Sequence, residues 1–127
     1  MKFLQENILE DFEGDRAFDA DLIVFRLGEN VPAKNKPHFE AAMRKFVDYI
    51  APRGKVLFTT CFWANPIVDN AIKTIAKERG ETCIDCCFSK DEKNMALGQF
   101  AHGGVAIHPS DAGMEAMANA IFEQLKD

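Results

Sequence analysis

The stretch that decides the fold reads DLIVFRLG from Asp21 to Gly28. A near-continuous apolar run of this length, ended by glycine, is typical of a parallel β-strand that is covered on both faces. Two further runs of the same kind follow, over residues 55–62 and 82–88. The sequence therefore predicts three buried parallel strands, the first over residues 21–27.

Helical periodicity fills the segments before, between and after these strands. The predicted helices cover residues 3–12, with a break at Gly14, residues 38–51, a segment that starts after Asn65 and stops at Gly80, and a last segment from about Ser110. Asn65 and Pro66 are typical of an N-cap and a first helical position. The residues of the last helix expected to face inward are Met114, Met117, Ala118, Ile121 and Leu125.

Strands that alternate with helices predict right-handed crossovers and a parallel sheet. We therefore expect residues 1–127 to form one α/β domain with a parallel sheet. Fifteen Lys and Arg against twenty Asp and Glu give a net charge of -5, and the cations are scattered, so no nucleic-acid partner is expected. No apolar run approaches the roughly 20 residues that span a bilayer. The opening residues lack a signal peptide, so a cytoplasmic protein is expected, or a secreted one if the true start lies upstream.

Ligands of parallel sheets bind beyond the carboxyl ends of the strands, so the residues there are candidates for a site. Gly28 allows a sharp turn after the first strand, and Asn30 can then aim its amide N–H outward, as an oxyanion-hole donor does. The same tripeptide is also common in ordinary turns. His108 precedes Pro109 and a helix N-cap, where an imidazole can serve as a general base or simply satisfy the helix start.

These two segments resemble the SGNH hydrolases, the GDSL-type esterases and lipases. FRLGENV, residues 25–31, is similar to the family's Gly-x-Asn-Asp block, and HPSDAGM, residues 108–114, is similar to its last block. TTCFWANP, residues 59–66, and NMA, residues 94–96, are similar to a bacterial branch. The resemblance runs from about residue 19 onward. It implies an ester hydrolase that needs no cofactor and acts on a small-molecule or carbohydrate ester, with Asn30 as oxyanion donor and His108 as base.

The chain also departs from the family. The block that carries the nucleophilic serine has no counterpart, Val31 replaces the second Asp of the Gly-x-Asn-Asp block, and Val105 stands where the triad acid is usual. Asp91 or Asp111 could stand in for that acid, and the sequence selects neither. The chain thus resembles the C-terminal part of an SGNH hydrolase and is expected to be weak or inactive alone. The alternative is a non-catalytic binding or assembly domain with a vestigial hydrolase cleft.

The four cysteines are expected to be reduced thiols in the core, because their number and spacing do not resemble a disulfide scaffold. Strand alternation places Cys83 and Cys87 on one face and Cys86 on the other, so no metal site is expected. Cys61, near the end of the second strand, is expected to be a buried thiol, and the alternative is a nucleophile paired with His108.

Four other polar or aromatic residues lie in or near the predicted loops, and for Glu29 the alternative is an acid catalyst. Trp63 either lines the cleft or packs in the core. Glu29 is expected to be a solvated loop carboxylate, and His38 a surface residue. His102 belongs to a glycine-rich loop that could reach the cleft.

The strand count predicts an oligomer. The resemblance implies a three-layer α/β/α fold with a flavodoxin-like parallel sheet of strand order 2-1-3-4-5. This chain is expected to hold only the last three of those strands. The strand at residues 22–27 is then an edge with unpaired backbone groups and no Pro or Lys to protect it. We therefore expect a homodimer or higher oligomer with these edges, or the surfaces around them, in contact. The resemblance separately predicts that Asn30 and His108 face one cleft.

Overall fold

The structure is a computed structural model that describes residues 6–98 and 103–126. In chain order its elements are a 3-10 helix Glu6–Phe12, α1 Glu13–Ala17, β1 Leu22–Phe25, a 3-10 turn Ala33–Asn35, α2 Lys36–Ile50, β2 Lys55–Thr59, α3 Pro66–Glu78, β3 Thr82–Ile84, a 3-10 turn Glu92–Asn94, α4 Gly103–Ala106 and α5 Asp111–Glu123. Within the described residues, no helix is long and apolar enough to cross a membrane.

The three strands form an open parallel sheet in the order β1-β2-β3. Phe25 pairs with Phe58 and Thr59 with Ile84, so the carboxyl ends of neighbouring strands lie side by side. This confirms the predicted mixed α/β class with a parallel sheet. The strands are shorter than predicted, because side chains take over the backbone groups where pairing stops. After β3, for example, the Asp85 carboxylate accepts from the Cys87 N–H at 2.9 Å and turns the chain.

Strand alternation builds one apolar cluster on each face of the sheet. Phe25, Val56 and Phe58 point toward α2 and α3, where they meet fully buried side chains such as Phe39 and Ile72. Leu57 and Ile84 point the other way, toward Met117 of α5, with Cys86 and Met95 in the same cluster. Helices thus cover both faces, an arrangement compatible with three α/β/α layers.

The helix starts and stops follow the predicted signals in part. Ser110 caps α5, because its Oγ accepts from the Gly113 N–H at 3.2 Å. Gly80 follows α3 with a positive φ of 67°, as a helix stop does. Asn65 is the N-cap of α3 and Pro66 its first residue, but the Asn65 side chain makes no capping hydrogen bond. The Asp69 carboxylate instead accepts from the Asn65 N–H at 2.9 Å.

Two helix predictions were wrong in detail. The opening segment is a 3-10 helix that runs into α1, and α1 continues through Gly14; residues 1–5 lie outside the described part. Of the residues expected to face inward from the last helix, only Met117 is buried. Met114 is 55% exposed, and Leu125, which lies after the end of α5, is 39% exposed. Met114 lies beside a cleft rather than against the sheet, and the helix ends before it reaches Leu125.

Gly28 offers a test of this packing. Its φ is 118°, and an added Cβ would lie 2.7 Å from Val68 Cγ1 of α3. Gly28→Ala should lower the free energy of unfolding by about 2–4 kcal/mol, because strain and overpacking add. The matched control is Gly14→Ala, whose Cβ meets nothing within 4 Å and lies in a helix, where alanine is favoured. Urea unfolding measures both, and equal stabilities would contradict the close approach of β1 and α3.

Candidate functional site

A cleft of about 330 Å³ lies at the carboxyl ends of β1 and β2. It is lined by Arg26, Glu29, Asn30, Phe62, Trp63, Ile107, His108, Pro109 and Met114. The residues come from three separate stretches of the chain: the turn after β1, the loop after β2, and the segment that enters α5. Asn30 and His108, the two predicted site residues, therefore share one cleft, although their roles stay predictions.

The turn after β1 places Asn30 at the lip of the cleft. Gly28 is buried against α3, and Val31 is only 7% exposed and belongs to the core. Asn30, between these two anchors, is exposed. Val31 stands where the SGNH block has its second Asp, and its side chain is apolar and packs in the core, so this position adds no carboxylate to the cleft.

Glu29 holds the first two stretches together, and the prediction that it is a solvated loop carboxylate was wrong. Its Oε1 accepts from the Phe62 N–H at 2.6 Å and from Arg26 Nη1 at 3.2 Å. The other nitrogen of that guanidinium, Nη2, lies 3.0 Å from Met117 Sδ on α5. The strand pattern gave no signal for this bridge, because Phe62 lies 33 residues away.

Asp69 organises the loop after β2, and sequence reasoning missed it. Its two carboxylate oxygens accept from the Cys61 and Asn65 N–H groups, each at 2.9 Å. The loop between these anchors presents Trp63, which lines the cleft and donates from Nε1 to the Ile107 carbonyl oxygen at 3.0 Å. The sequence did contain a signal for this contact: Asp69 follows the N-cap Asn65 and Pro66 within the first turns of α3, where a carboxylate can reach back to the N-cap N–H.

The segment that carries His108 is fixed by backbone contacts to residues 93–96. Ala96 N–H donates to the His108 carbonyl oxygen at 3.0 Å, and Ser110 N–H donates to that of Asn94 at 2.8 Å. Ser110 Oγ also lies 2.6 Å from the Lys93 carbonyl oxygen. These bonds leave the exposed His108 on a short turn before α5, as predicted.

The triad acid is not found in the lining. Asp91 lies outside it and accepts from the Lys93 N–H at 3.2 Å, and Asp111 is exposed in the first turn of α5. Glu29 is the carboxylate that the described lining contains, and its Oε1 already bridges Phe62 and Arg26. The described residues thus supply His108 with no free carboxylate in the cleft.

The described lining also contains no Ser, Thr or Cys side chain. Cys61 is 2% exposed in the core, and burial, reinforced by the nearby Asp69 carboxylate, raises the pKa of its thiol far above the usual range. A buried, protonated thiol is a poor nucleophile, so the structure favours the core interpretation of Cys61. Burial raises the pKa of Cys86 to about 11 as well.

Among the described residues, no group of three or more His, Cys, Asp or Glu side chains is placed to bind one metal ion. Cys83 packs toward α2 and α3 and Cys86 toward α5, which confirms that they lie on opposite faces. His38 is exposed in the first turn of α2. His102 lies outside the described residues.

The rim of the cleft is apolar. Trp63, Ile107 and Met114 line it and keep 45%, 51% and 55% of their surface exposed. The cation of Arg26 is balanced by Glu29 at 3.2 Å. An apolar rim around a few polar groups is the usual character of a small-molecule site.

No family model, no curated protein and no solved structure matches the chain. A proposal for the function therefore rests on the geometry of the cleft and on the sequence motifs.

The buried thiols can be tested by labelling. In the folded protein at pH 8, Cys61 and Cys86 should resist iodoacetamide, because a raised pKa keeps them protonated and burial blocks access. Half-buried Cys87 should react first, and all four cysteines should react in urea. Peptide mass spectrometry gives the rate at each site. Rapid labelling of Cys61 in the folded state would contradict its burial and restore it as a candidate nucleophile.

Asp69 can be tested by stability. Asp69→Ala leaves two loop N–H groups without their carboxylate, so the free energy of unfolding should fall by about 2–4 kcal/mol. The emission of Trp63 should also shift to the red as the loop loosens. The control is Asp48→Ala, which removes an exposed ion pair with Arg79 and should cost at most about 1 kcal/mol. A similar loss in both variants would contradict the role of Asp69.

Proposed function

We propose that the cleft is an ester-binding site of the hydrolase type. In it, Asn30 donates a hydrogen bond to the ester carbonyl oxygen and His108 accepts a proton. The observation that carries the proposal is that these two residues, from distant stretches of the chain, line one cleft at the carboxyl ends of parallel strands. That edge is where ligands of such sheets bind.

The resemblance to SGNH hydrolases supports the same assignment. Both blocks that resemble the family contribute to the cleft lining: residues 25–31 contribute Arg26, Glu29 and Asn30, and residues 108–114 contribute His108, Pro109 and Met114. The strand order β1-β2-β3 with helices on both faces is compatible with part of a flavodoxin-like sheet. In this proposal the chain corresponds to the C-terminal part of the family fold.

The chemistry follows from the groups that line the cleft. With no hydroxyl or thiol in the described lining, water is the nucleophile. His108 takes a proton from water as its oxygen bonds to the ester carbonyl carbon, and Asn30 stabilises the oxyanion. The bond to the alcohol oxygen then breaks, and His108 returns the proton to that oxygen. Loss of a triad member costs several orders of magnitude in rate, so turnover by this chain alone is slow.

The lining favours neutral esters with short apolar groups. Trp63, Ile107 and Met114 offer apolar contacts, and Arg26 is already paired with Glu29, so a charged ester gains little. An acetylated sugar is the other substrate class that the resemblance implies. Comparing the rates at which the protein hydrolyses ethyl butyrate and an acetylated sugar distinguishes the two substrate classes.

A second candidate is a binding or assembly domain with a vestigial hydrolase cleft. The observation in its favour is the described lining itself, which has no nucleophile and whose carboxylate, Glu29, bridges Arg26 and Phe62. Under this candidate the cleft binds an ester without converting it.

Turnover tests the role of His108. With p-nitrophenyl butyrate, the protein should release product slowly and without an initial burst, because no acyl-enzyme forms. His108→Gln should return the rate to that of buffer, while His38→Gln, which changes an exposed histidine outside the cleft, should not. A burst of one equivalent would contradict water as the nucleophile. A rate at buffer level despite ester binding would favour the second candidate.

Binding tests the role of Asn30. Trp63 is the single tryptophan, so its fluorescence reports ethyl butyrate in the cleft. Loss of one hydrogen bond, about 1 kcal/mol, should weaken binding about fivefold in Asn30→Ala. The control is Asn70→Ala, on the exposed side of α3. If neither ethyl butyrate nor the acetylated sugar changes the emission, the ester site is disproved.

A further inference from the structure

The segment that carries His108 is bonded on both sides of this residue. From the loop after β2, Trp63 Nε1 donates to the Ile107 carbonyl oxygen at 3.0 Å. From the segment before α4, the Ala96 N–H donates to the His108 carbonyl oxygen at 3.0 Å. The two carbonyl groups that flank the Cα of His108 are therefore each held by a different part of the chain.

These two bonds act on the direction of the His108 side chain. Each carbonyl group belongs to a planar peptide unit, and the two units that meet at a Cα determine where its Cβ points. Pro109 adds a further restriction, because the residue before a proline is kept out of the helical region. The first bond therefore limits rotation about φ of His108, while the second bond and Pro109 limit rotation about ψ.

The indole of Trp63 is itself held in place. Glu29 and Asp69 fix the backbone of its loop by accepting from N–H groups there. The ring also meets that of Phe62 edge-on, with centroids 6.3 Å apart and planes at 84°, and Phe62 is only 1% exposed. Trp63 is thus a donor with a defined position, and its bond transfers that position to the Ile107 carbonyl group.

A base needs an orientation as well as a place in the cleft. In a complete triad a carboxylate holds the imidazole toward the reacting proton. The carboxylate in the described lining is that of Glu29, and its Oε1 already bridges two stretches of the chain. The orientation of His108 in the described cleft therefore depends on its backbone.

We infer that Trp63 is a positioning residue for His108. Its indole N–H holds the peptide unit between Ile107 and His108, and this bond keeps the imidazole directed into the cleft. Trp63 transfers no proton and acts through the backbone alone. This role rests on the proposed function, in which His108 is the base.

Trp63→Phe tests this role, because it keeps an aromatic ring in the cleft and removes the N–H donor. With p-nitrophenyl butyrate, kcat should fall about five- to tenfold while KM stays within about twofold. The matched control is Thr74→Val, which removes an exposed hydrogen bond from Oγ1 to the Asn70 carbonyl oxygen at 2.8 Å, outside the cleft lining. It should keep the kcat of the wild-type protein. An unchanged kcat in Trp63→Phe, or an equal fall in both variants, would overturn the inference.

NMR gives a second readout that needs no turnover. The three-bond coupling between the amide and α protons of His108 depends on φ. Trp63→Phe should move this coupling toward the average of several conformations and leave that of His38 as it is. If the wild-type protein hydrolyses no ester, the proposed function fails, and the His108 coupling alone decides the inference. A His108 coupling that Trp63→Phe leaves unchanged would contradict the inference even in a protein that hydrolyses esters.

Discussion

The cleft depends on one carboxylate oxygen, Glu29 Oε1, which accepts from the Phe62 N–H at 2.6 Å and from Arg26 at 3.2 Å. Parallel pairing brings the ends of β1 and β2 side by side, but it does not determine how the chain leaves each strand. Glu29 does so, because it ties the turn after β1 to the loop after β2. The sheet thereby ends in a cleft with defined walls rather than in two independent loops.

The carboxylates of Glu29 and Asp69 hold the loops at the strand ends by accepting hydrogen bonds from backbone N–H groups. Glu29 bridges the strand ends, and Asp69 holds the loop that presents Trp63 through two N–H groups. A carboxylate whose oxygens already accept from backbone N–H groups has less hydrogen-bonding capacity left to orient an imidazole. The described cleft therefore contains Asn30 and His108 but no carboxylate that is free to orient the imidazole.

The order of elements was predictable because apolar runs and helical periodicity are local properties. The three strands, α2, α3 and the Ser110 cap all follow from residues close together in sequence. The ends of the strands were not predictable, since Asp85 and Asp69 take over backbone groups where the apolar run continues. The exposure of Met114 was also not predictable. Helical periodicity shows which residues share a face of the helix, but it does not show which of them a neighbouring element covers.

The sequence by itself determined the α/β class, the parallel direction of the strands and the two candidate positions, Asn30 and His108, because each depends on short-range pattern and chain order. Only the tertiary structure decided that these two residues line one cleft, that Glu29 and Asp69 are structural, and that Cys61 is in the core. Those outcomes depend on contacts between residues distant in the chain. Such contacts arise when the sheet and its helices pack, and a linear pattern does not encode them separately.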